Sequence, residues 1–172
     1  MAKILIAFYS HAGENYVNGG VRFLERGNNE IIVDKIKAAL PEADVFRIET
    51  VKKYKEDYYE LIEEAKQELR AKARPELTAE VENMDQYDTV ILGYPNWWGI
   101  PPMAVFTFLE SYDFAGKKIV PFCSHEGSGL GGSIRQIKMA APGAELTAGV
   151  AIHGADAAHC DRDVKQILEQ AR

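Results

Sequence analysis

Cysteine, long apolar runs and an excess of positive charge are scarce or missing in this chain of 172 residues. Its two cysteines, Cys123 and Cys160, lie far apart and do not resemble a disulfide framework. No apolar run approaches a membrane span, and Lys3–Phe8 is too short for a signal peptide. The formal net charge of −6 argues against a nucleic-acid or membrane partner. We therefore expect a cytoplasmic protein with reduced thiols.

Short apolar segments alternate with helical patterns along the chain. The predicted strands are Lys3–Tyr9, Asp44–Ile48, Tyr87–Tyr94, Lys117–Cys123 and Glu145–Ile152. The predicted helices are Glu30–Leu40, Asp57–Arg74, Pro102–Leu109, Ser133–Met139 and Arg162–Ala171, the first with Asn29 as a candidate N-cap. This order predicts an α/β fold with a doubly wound, five-stranded parallel sheet. We expect residues 1–172 to form one domain in which Ser10–Asn28 is irregular.

The loops that follow the first, third and fourth strands are unusual in composition. In an open α/β sheet, ligands bind beyond the carboxyl ends of the strands, which is where these loops lie. The first loop is rich in Gly, Ser and Asn and has no Lys or Arg between Ser10 and Val21, so it is not the lysine-bearing loop that binds nucleotide triphosphates. Backbone amides at a helix start can nevertheless hold a phosphate there.

The third-strand loop, Tyr94–Pro102, reads YPNWWGIPP and places two tryptophans side by side. A rigid indole at a ligand crevice can stack on a planar heterocycle. The alternative is that one indole packs in the core while the other covers a helix end. The residue pattern alone favours neither interpretation.

The fourth-strand loop, Ser124–Ser133, reads SHEGSGLGGS and matches the G-x-G-x-x-G spacing of dinucleotide-binding proteins. That fingerprint belongs directly after the first strand, whereas these glycines follow the fourth, so the dinucleotide interpretation is rejected. Ser128 lacks the G-x-S-x-G context of a hydrolase nucleophile, and the four histidines show no metal-ligand spacing. We therefore predict no metal and no catalytic residue, and a loop whose amides approach a flat polar ring.

Together the three loops resemble the flavodoxin-like family, most closely a bacterial branch whose loops read YP-x-WWG and HEGSG. The resemblance spans Lys3 to Arg172. It implies strand order 2-1-3-4-5 and noncovalent FMN, with the phosphate in the first loop and the isoalloxazine between the other two. The ring-binding residues that it implies are Pro95, Asn96, Trp97, Trp98 and Gly99 on one side, and Ser124, His125, Glu126, Gly127, Ser128 and Gly129 on the other.

The first loop departs from the family's S-x-T-G-N-T pattern. In one alignment Gly13–Arg26 is largely an insertion, so that Ser10, His11 and Ala12 would hold the phosphate together with Asn28 and Asn29. In the other alignment Ser10–Asn15 is contiguous and Asn15 is the last ligand. A helix start at Asn29 favours the split loop, because its free amides need an anion or a cap.

The resemblance implies an FMN protein of electron transfer that exchanges electrons with a redox protein partner. One alternative is an NAD(P)H-dependent FMN oxidoreductase of the quinone reductase type, which acts on a small-molecule acceptor. Another is a regulatory module that has kept the fold without the cofactor. Ala12, where the family has threonine, leaves room for that last possibility.

Overall fold

A computed structural model of the chain describes residues 3–172. The strands are β1 (Ile4–Phe8), β2 (Gly13–Val17), β3 (Gly20–Leu24), β4 (Asp44–Arg47), β5 (Thr89–Pro95), β6 (Lys118–His125), β7 (Glu145–Leu146) and β8 (Val150–His153). The α-helices are α1 (Asn28–Ala39), α2 (Tyr58–Ala71), α3 (Met103–Glu110), α4 (Ser133–Ala140) and α5 (Asp161–Ala171). Two 3₁₀ turns span Met84–Gln86 and Gly154–His159. Each predicted strand and helix is present within a few residues of its predicted bounds.

The central sheet is parallel and runs β4-β1-β5-β6, with β7 and β8 both paired to the outer side of β6. When β7 and β8 are taken as two parts of one strand, this is the predicted order 2-1-3-4-5. The predicted α/β fold is therefore confirmed. The carboxyl ends of β1, β5 and β6 meet at one edge of this sheet, and the three loops singled out in the sequence begin there.

The last strand is broken, which the sequence did not predict. Residues 147–149 separate β7 from β8, while only Val120 and Pro121 of β6 stand opposite that break. Proline has no amide hydrogen to give to the ladder, and one extra residue against a strand is the geometry of a bulge. Gly149 closes the break with φ +78, a conformation that costs a glycine little.

Both faces of the sheet are buried, which explains the unbroken apolar runs of its strands. Ile6 and Phe8 belong to the core cluster that α1 and α5 cover, whereas Leu5 and Ala7 belong to the cluster on the α3 side. Burying such side chains is worth about 1.5–3 kcal/mol for each large one. Within residues 3–172, no helix is long and apolar enough to cross a membrane.

The stretch Ser10–Asn28, predicted to be irregular, contains a β-hairpin. Strands β2 and β3 pair antiparallel from Gly13 opposite Leu24 to Val17 opposite Gly20. Asn18 and Gly19 form the turn with φ +52 and +92, as a type I′ hairpin turn requires. The prediction of an irregular segment was therefore wrong, although the segment does stand apart from the main sheet.

Candidate functional site

A cavity of about 340 Å³ lies at the carboxyl edge of the sheet. Its walls come from the hairpin, the start of α1, one face of α2 and the loops after β5 and β6. The predicted site residues that line it are Asn15, Asn28, Pro95, Asn96, Trp97, Trp98, Gly99, Ser124, His125, Glu126 and Ser128. The fold thus brings residues from all three loops, separated by more than a hundred positions, to one cavity.

The remaining predicted site residues lie outside the lining of this cavity. They are Ser10, His11, Ala12, Asn29, Gly127 and Gly129. Asn29 is the second residue of α1 and is buried; its Nδ2 donates a hydrogen bond of 3.1 Å to the carbonyl of Tyr9. The prediction that Asn29 is an N-cap was wrong, because Gly27 is the N-cap residue. Gly27 has no side chain that could cap the helix.

The start of α1 is hydrogen-bonded to the first loop by a residue that is distant in sequence. Ser10 Oγ accepts a hydrogen bond of 3.2 Å from the Glu30 amide, which supplies the capping contact that Gly27 lacks. The chain can approach this closely because residue 27 has no Cβ: one built there would lie 2.1 Å from Ser10 Oγ and 2.7 Å from the His11 carbonyl oxygen. The amides of Asn28 and Asn29 stand at the first turn, where a helix offers no internal acceptor.

Cationic side chains near this turn are already engaged. Arg47 forms an ion pair with Glu30 at 3.2 Å and donates to the Ser10 carbonyl at 3.5 Å. An anion held at the first turn of α1 would therefore depend mainly on amide donors and on the helix dipole, worth roughly 0.3–1 kcal/mol and up to about 2 in a partly buried site.

His11 is a titratable side chain in the first loop, and it packs under the cavity wall. Its ring meets that of Trp97 edge-on, with centroids 6.1 Å apart. Among the described residues, no hydrogen-bond partner faces its buried Nε2. Burial lowers the pKa of His11 because the protonated ring would lose water without gaining a partner.

This lowered pKa predicts an acid-sensitive fold. Below about pH 6.5 the unfolded chain takes up a proton at His11 more readily than the folded chain, so the free energy of unfolding falls as the pH drops from 7 toward 5. The His11→Gln variant should lose less stability than wild type over that range in urea titrations. The His159→Gln variant, changed at an exposed position, should follow wild type. Equal acid losses in all three proteins would contradict the assignment.

The two adjacent tryptophans have different surroundings, which bears on whether they face a ligand or serve the core and a helix. Trp97 packs against the core and meets Tyr9 and Tyr54 edge-on, each at 5.4 Å between ring centroids. Trp98 is 50% exposed; its Nε1 donates a hydrogen bond of 2.9 Å to the carbonyl of Ile62 in α2. One indole thus belongs to the core and the other covers a helix, yet both line the cavity.

Trp98 also adopts a backbone conformation that is uncommon for a large side chain, with φ +58. The Asn96 side chain supports this turn: Oδ1 accepts from the Gly99 amide at 2.8 Å, and Nδ2 donates to the Gly129 carbonyl at 2.9 Å. The two loops also share the Gly99 carbonyl, which accepts from the Gly132 amide at 2.8 Å. The β5 and β6 loops therefore form one continuous wall.

The hairpin is fastened across the cavity at two points, both through carboxylates. Glu14 accepts a hydrogen bond of 2.6 Å from the Tyr58 amide at the start of α2. Glu126, in the β6 loop, accepts one of 3.0 Å from the Asn18 amide at the hairpin turn. Tyr16 and Tyr58 add a ring contact with centroids 5.9 Å apart. The hairpin thus forms a wall of the cavity that joins the start of α2 to the β6 loop.

Several lining residues were absent from the predicted site. They are Glu14, Tyr16, Tyr58, Leu61, Ile62 and Ala65. The dipeptide Asn18-Gly19 between ENYV and VRFL is a strong hairpin signal and could have revealed the wall that carries the first two. The other four lie on α2, and no local signal in the sequence shows which side of that helix faces a ligand.

Two histidines stand beside Glu126 at the rim. The rings of His125 and His153 lie 5.7 Å apart, and His153 Nε2 is 3.7 Å from Glu126 Oε2. His125 Nδ1 accepts a hydrogen bond of 2.9 Å from the Gly127 amide. Burial is the larger cause that lowers the pKa of His125, and the charge of the neighbouring His153 lowers it further. Near neutral pH this rim therefore presents a neutral imidazole at His125.

Comparison with known proteins places the chain in a family. The family model described as Flavodoxin matches residues 21–170. The chain therefore belongs to the flavodoxin family, and the resemblance noted in the sequence is confirmed. None of the curated proteins matches it.

Solved structures agree with this fold. A candidate flavoprotein from Bacteroides eggerthii is 25% identical with a TM-score of 0.78, over 99% of this chain and 98% of that one. Flavodoxin 2 from Bacillus cereus is 26% identical with a TM-score of 0.55, over 99% and 95%. A flavoprotein from Lactobacillus acidophilus, solved in complex with FMN, is 19% identical with a TM-score of 0.68, over 91% and 96%, and at that identity shows the fold alone.

Proposed function

We propose that this chain binds FMN noncovalently in the cavity at the carboxyl edge of its sheet and serves in electron transfer. The observation that carries the proposal is the convergence of the three loops, with the β5 and β6 loops joined into one wall. The match to the flavodoxin family and the FMN held by the flavoprotein from Lactobacillus acidophilus support it.

The lining fits a ligand that is flat, partly apolar and bordered by polar groups. Indole and phenol rings stand beside the side-chain amides of Asn15, Asn28 and Asn96. Gly99, Gly127 and Gly129 all have positive φ, and a Cβ built on any of them would meet no atom within 4 Å. Backbone at such positions can approach a ring edge closely. The donor chemistry thus suits an isoalloxazine ring.

The phosphate would be held at the start of α1. The amides of Asn28 and Asn29 would donate to it, and Ser10 would keep the first loop against the helix. This is the split version of the phosphate loop, with the hairpin as the inserted segment. Asn15 donates through Nδ2 to the carbonyls of His11 and Gly13 at 3.0 and 3.2 Å, so it braces the loop in its own segment.

FMN, when bound, supplies the redox chemistry. The chain's own residues bind it, orient it and exclude water from it. Trp97 gives a fixed wall because three aromatic rings hold it, while Trp98 and Tyr58 lie at the open side where electrons would pass.

A fluorescence titration tests the proposal. Free FMN should lose its emission on binding. Riboflavin, which lacks the phosphate, should bind more weakly by about the contribution of the helix start, roughly 2- to 30-fold for ~0.3–2 kcal/mol. Protein that neither quenches FMN nor carries visible flavin absorbance would contradict the proposal and favour a module without cofactor.

A single hydroxyl separates the phosphate contact from the ring contacts. We expect Ser10→Ala to release the first loop from the Glu30 amide at a cost of about 1 kcal/mol, and so to weaken FMN binding roughly fivefold. Riboflavin binding should change little. Ser111→Ala, at the far end of α3, removes a comparable local hydroxyl contact and should leave both affinities unchanged. Equal losses for FMN and riboflavin would place the phosphate elsewhere.

A second candidate function is an NAD(P)H-dependent flavin reductase of the quinone reductase type. The half-exposed Trp98 leaves an open rim at the cavity, as such a reaction with a small-molecule acceptor requires. Anaerobic mixing of the FMN-loaded protein with NADPH distinguishes the two functions. Rapid loss of visible absorbance supports the reductase, and an unchanged spectrum supports the carrier.

A further inference from the structure

A second surface feature adjoins the candidate cofactor site. A groove of about 400 Å³ runs between the end of α2, α3 and the last turn of α4. Ile100, Met103 and Phe106 give it an apolar lining, and Met139 stands on its rim with 67% of its surface exposed. A large, flexible apolar side chain left in water beside an apolar groove is a feature of protein-binding surfaces.

Five cations without ion pairs border this groove, although the whole chain carries a net charge of −6. The cations are Lys66, Arg70 and Lys72 on α2 and its C-cap, and Arg135 and Lys138 on α4. Within the described part of the chain, none of the five forms an ion pair. Arg74 is paired with Glu110 at 2.9 Å, and on α2 Glu64 and Glu68 are both paired with Lys52. Among the described residues of α2, Glu60 and Glu63 are then the acidic side chains that can offset the five cations. The α2–α4 face, defined by these five cations and the groove, is therefore locally positive.

Helix electrostatics account for only part of this pattern. Cations near the last turn of a helix favour its negative end, which explains Arg70 and Lys72. Lys66 lies a full turn earlier, with its Nζ 5.3 Å from the ring centre of Trp98. Arg135 lies near the start of α4, where a cation is disfavoured, and one turn before Met139 on the same helix face. Lys66 thus has a partner in Trp98, whereas the helix dipole gives no reason for a cation at Arg135.

The α2–α4 face meets the cofactor cavity at one loop. Trp98 and Gly99 line the cavity, and the next residue, Ile100, lines the groove. On α2, Ile62 belongs to the cavity while Leu69, seven residues later on the same side of the helix, belongs to the groove. A molecule seated on this face would therefore contact the wall of the cavity at Trp98.

We propose that the α2–α4 face docks a protein partner through an acidic surface that carries an exposed apolar side chain. Carboxylates of the partner pair with the free cations, and the apolar side chain enters the groove beside Met139. That this partner exchanges electrons with the chain rests on the proposed function; the docking itself does not. Charge complementarity of this kind chiefly sets orientation and the rate of encounter.

The spread of the cations favours a protein over a small anion or a polyanion. From Lys66 to Lys72 the charges extend about 9 Å along α2, and α4 contributes more across the groove, so they do not converge on one phosphate. A long polyanion would feel the net charge of −6 over its length. A compact acidic patch feels chiefly the charges within about one screening length, roughly 8 Å at physiological salt.

Amide NMR with a defined probe tests the docking surface. The probe is a small acidic ferredoxin, titrated at low salt into the ¹⁵N-labelled protein as purified, with basic cytochrome c as the comparison. We expect the ferredoxin to shift amides of residues 62–74, 98–100 and 135–140, and added salt to reverse the shifts. R70E/R135E should weaken this binding about tenfold or more. R162E/K165E, which changes the charge equally on exposed positions of α5 across the sheet, should leave it nearly unchanged.

Other outcomes would overturn the proposal. Absence of shifts on the α2–α4 face with the ferredoxin, or equal weakening by both variants, would show that this face does not select acidic proteins. Shifts of the same amides with ADP alone would make it a nucleotide site, and shifts that depend on the protein's own concentration would make it an interface between copies. FMN quenching, measured separately, reports on the proposed function and does not depend on these results.

Discussion

Replacing Gly27 by alanine is expected to abolish tight FMN binding and to destabilise the fold. The residue sits at φ −65 and ψ 156, which any amino acid adopts without strain, so the whole effect comes from space. The new methyl group would lie 2.1 Å from Ser10 Oγ and 2.7 Å from the His11 carbonyl oxygen. Since one of these atoms is backbone, the first loop must move away from α1, which breaks the contact between Ser10 and the Glu30 amide.

The cost of such overpacking is about 1–3 kcal/mol in the free energy of unfolding, and urea titration measures it. FMN affinity should fall by more than about tenfold, because the phosphate donors and the loop no longer align. Gly20→Ala is the matched control: a Cβ at Gly20 meets nothing within 4 Å, and its φ is not positive. If Gly27→Ala behaved like Gly20→Ala in both titrations, the close approach of loop and helix would not matter for the site.

The second large effect separates the two tryptophans. Trp97→Ala should lower the free energy of unfolding by about 3–5 kcal/mol, because it empties the space between Tyr9, Tyr54 and His11. Trp98→Ala should lower it by less than about 1 kcal/mol, since half of that indole already faces solvent and it gives up one hydrogen bond to the Ile62 carbonyl.

The order should differ for FMN affinity in proteins that remain folded. Trp98→Ala should cost about 1–3 kcal/mol of binding, roughly a 5- to 150-fold weakening, if its indole stacks on the ring. Trp98→Phe, which keeps an aromatic face, should recover most of that loss. A Trp98→Ala variant that binds FMN as wild type does would remove Trp98 from the ring-binding residues and leave it as a cover for α2.

The main sheet was predictable because its strands are buried on both faces and therefore lack polar residues. Segments such as Lys3–Tyr9 and Tyr87–Tyr94 could not form an exposed strand or an amphipathic helix, and their alternation with helices fixed the fold class. The position of the ligand loops followed from the same fact, since parallel strands place their carboxyl ends along one edge.

Features set by contacts distant in sequence were not predictable in this way. Ser10 caps α1 by accepting a hydrogen bond from the Glu30 amide, twenty residues further along the chain, whereas the local sequence pattern predicts Asn29 as the cap. The break in the last strand depends on Pro121 in the neighbouring strand. The cavity face of α2 is fixed by Glu14 and Trp98, which lie in other segments. In each case the local sequence was compatible with several arrangements.

The hairpin was missed for a different reason, because its signal was local and was present. Asn18-Gly19 suits the positive φ values that a tight hairpin turn demands, and the flanking residues include Tyr16, Val17, Val21 and Phe23. The abundance of glycine and asparagine in this stretch favours irregular structure, whereas the spacing of these residues indicates strands β2 and β3.

The pairing of Gly13 with Leu24 has a consequence for how this family can vary in length. Because the hairpin leaves and rejoins the chain at adjacent points, a chain with a longer hairpin, or with a simple turn, could deliver the same helix start to the same loop. Homologues that differ by a dozen residues here would then keep one architecture, and the extra ribbon could diversify the mouth of the pocket without disturbing the scaffold beneath it.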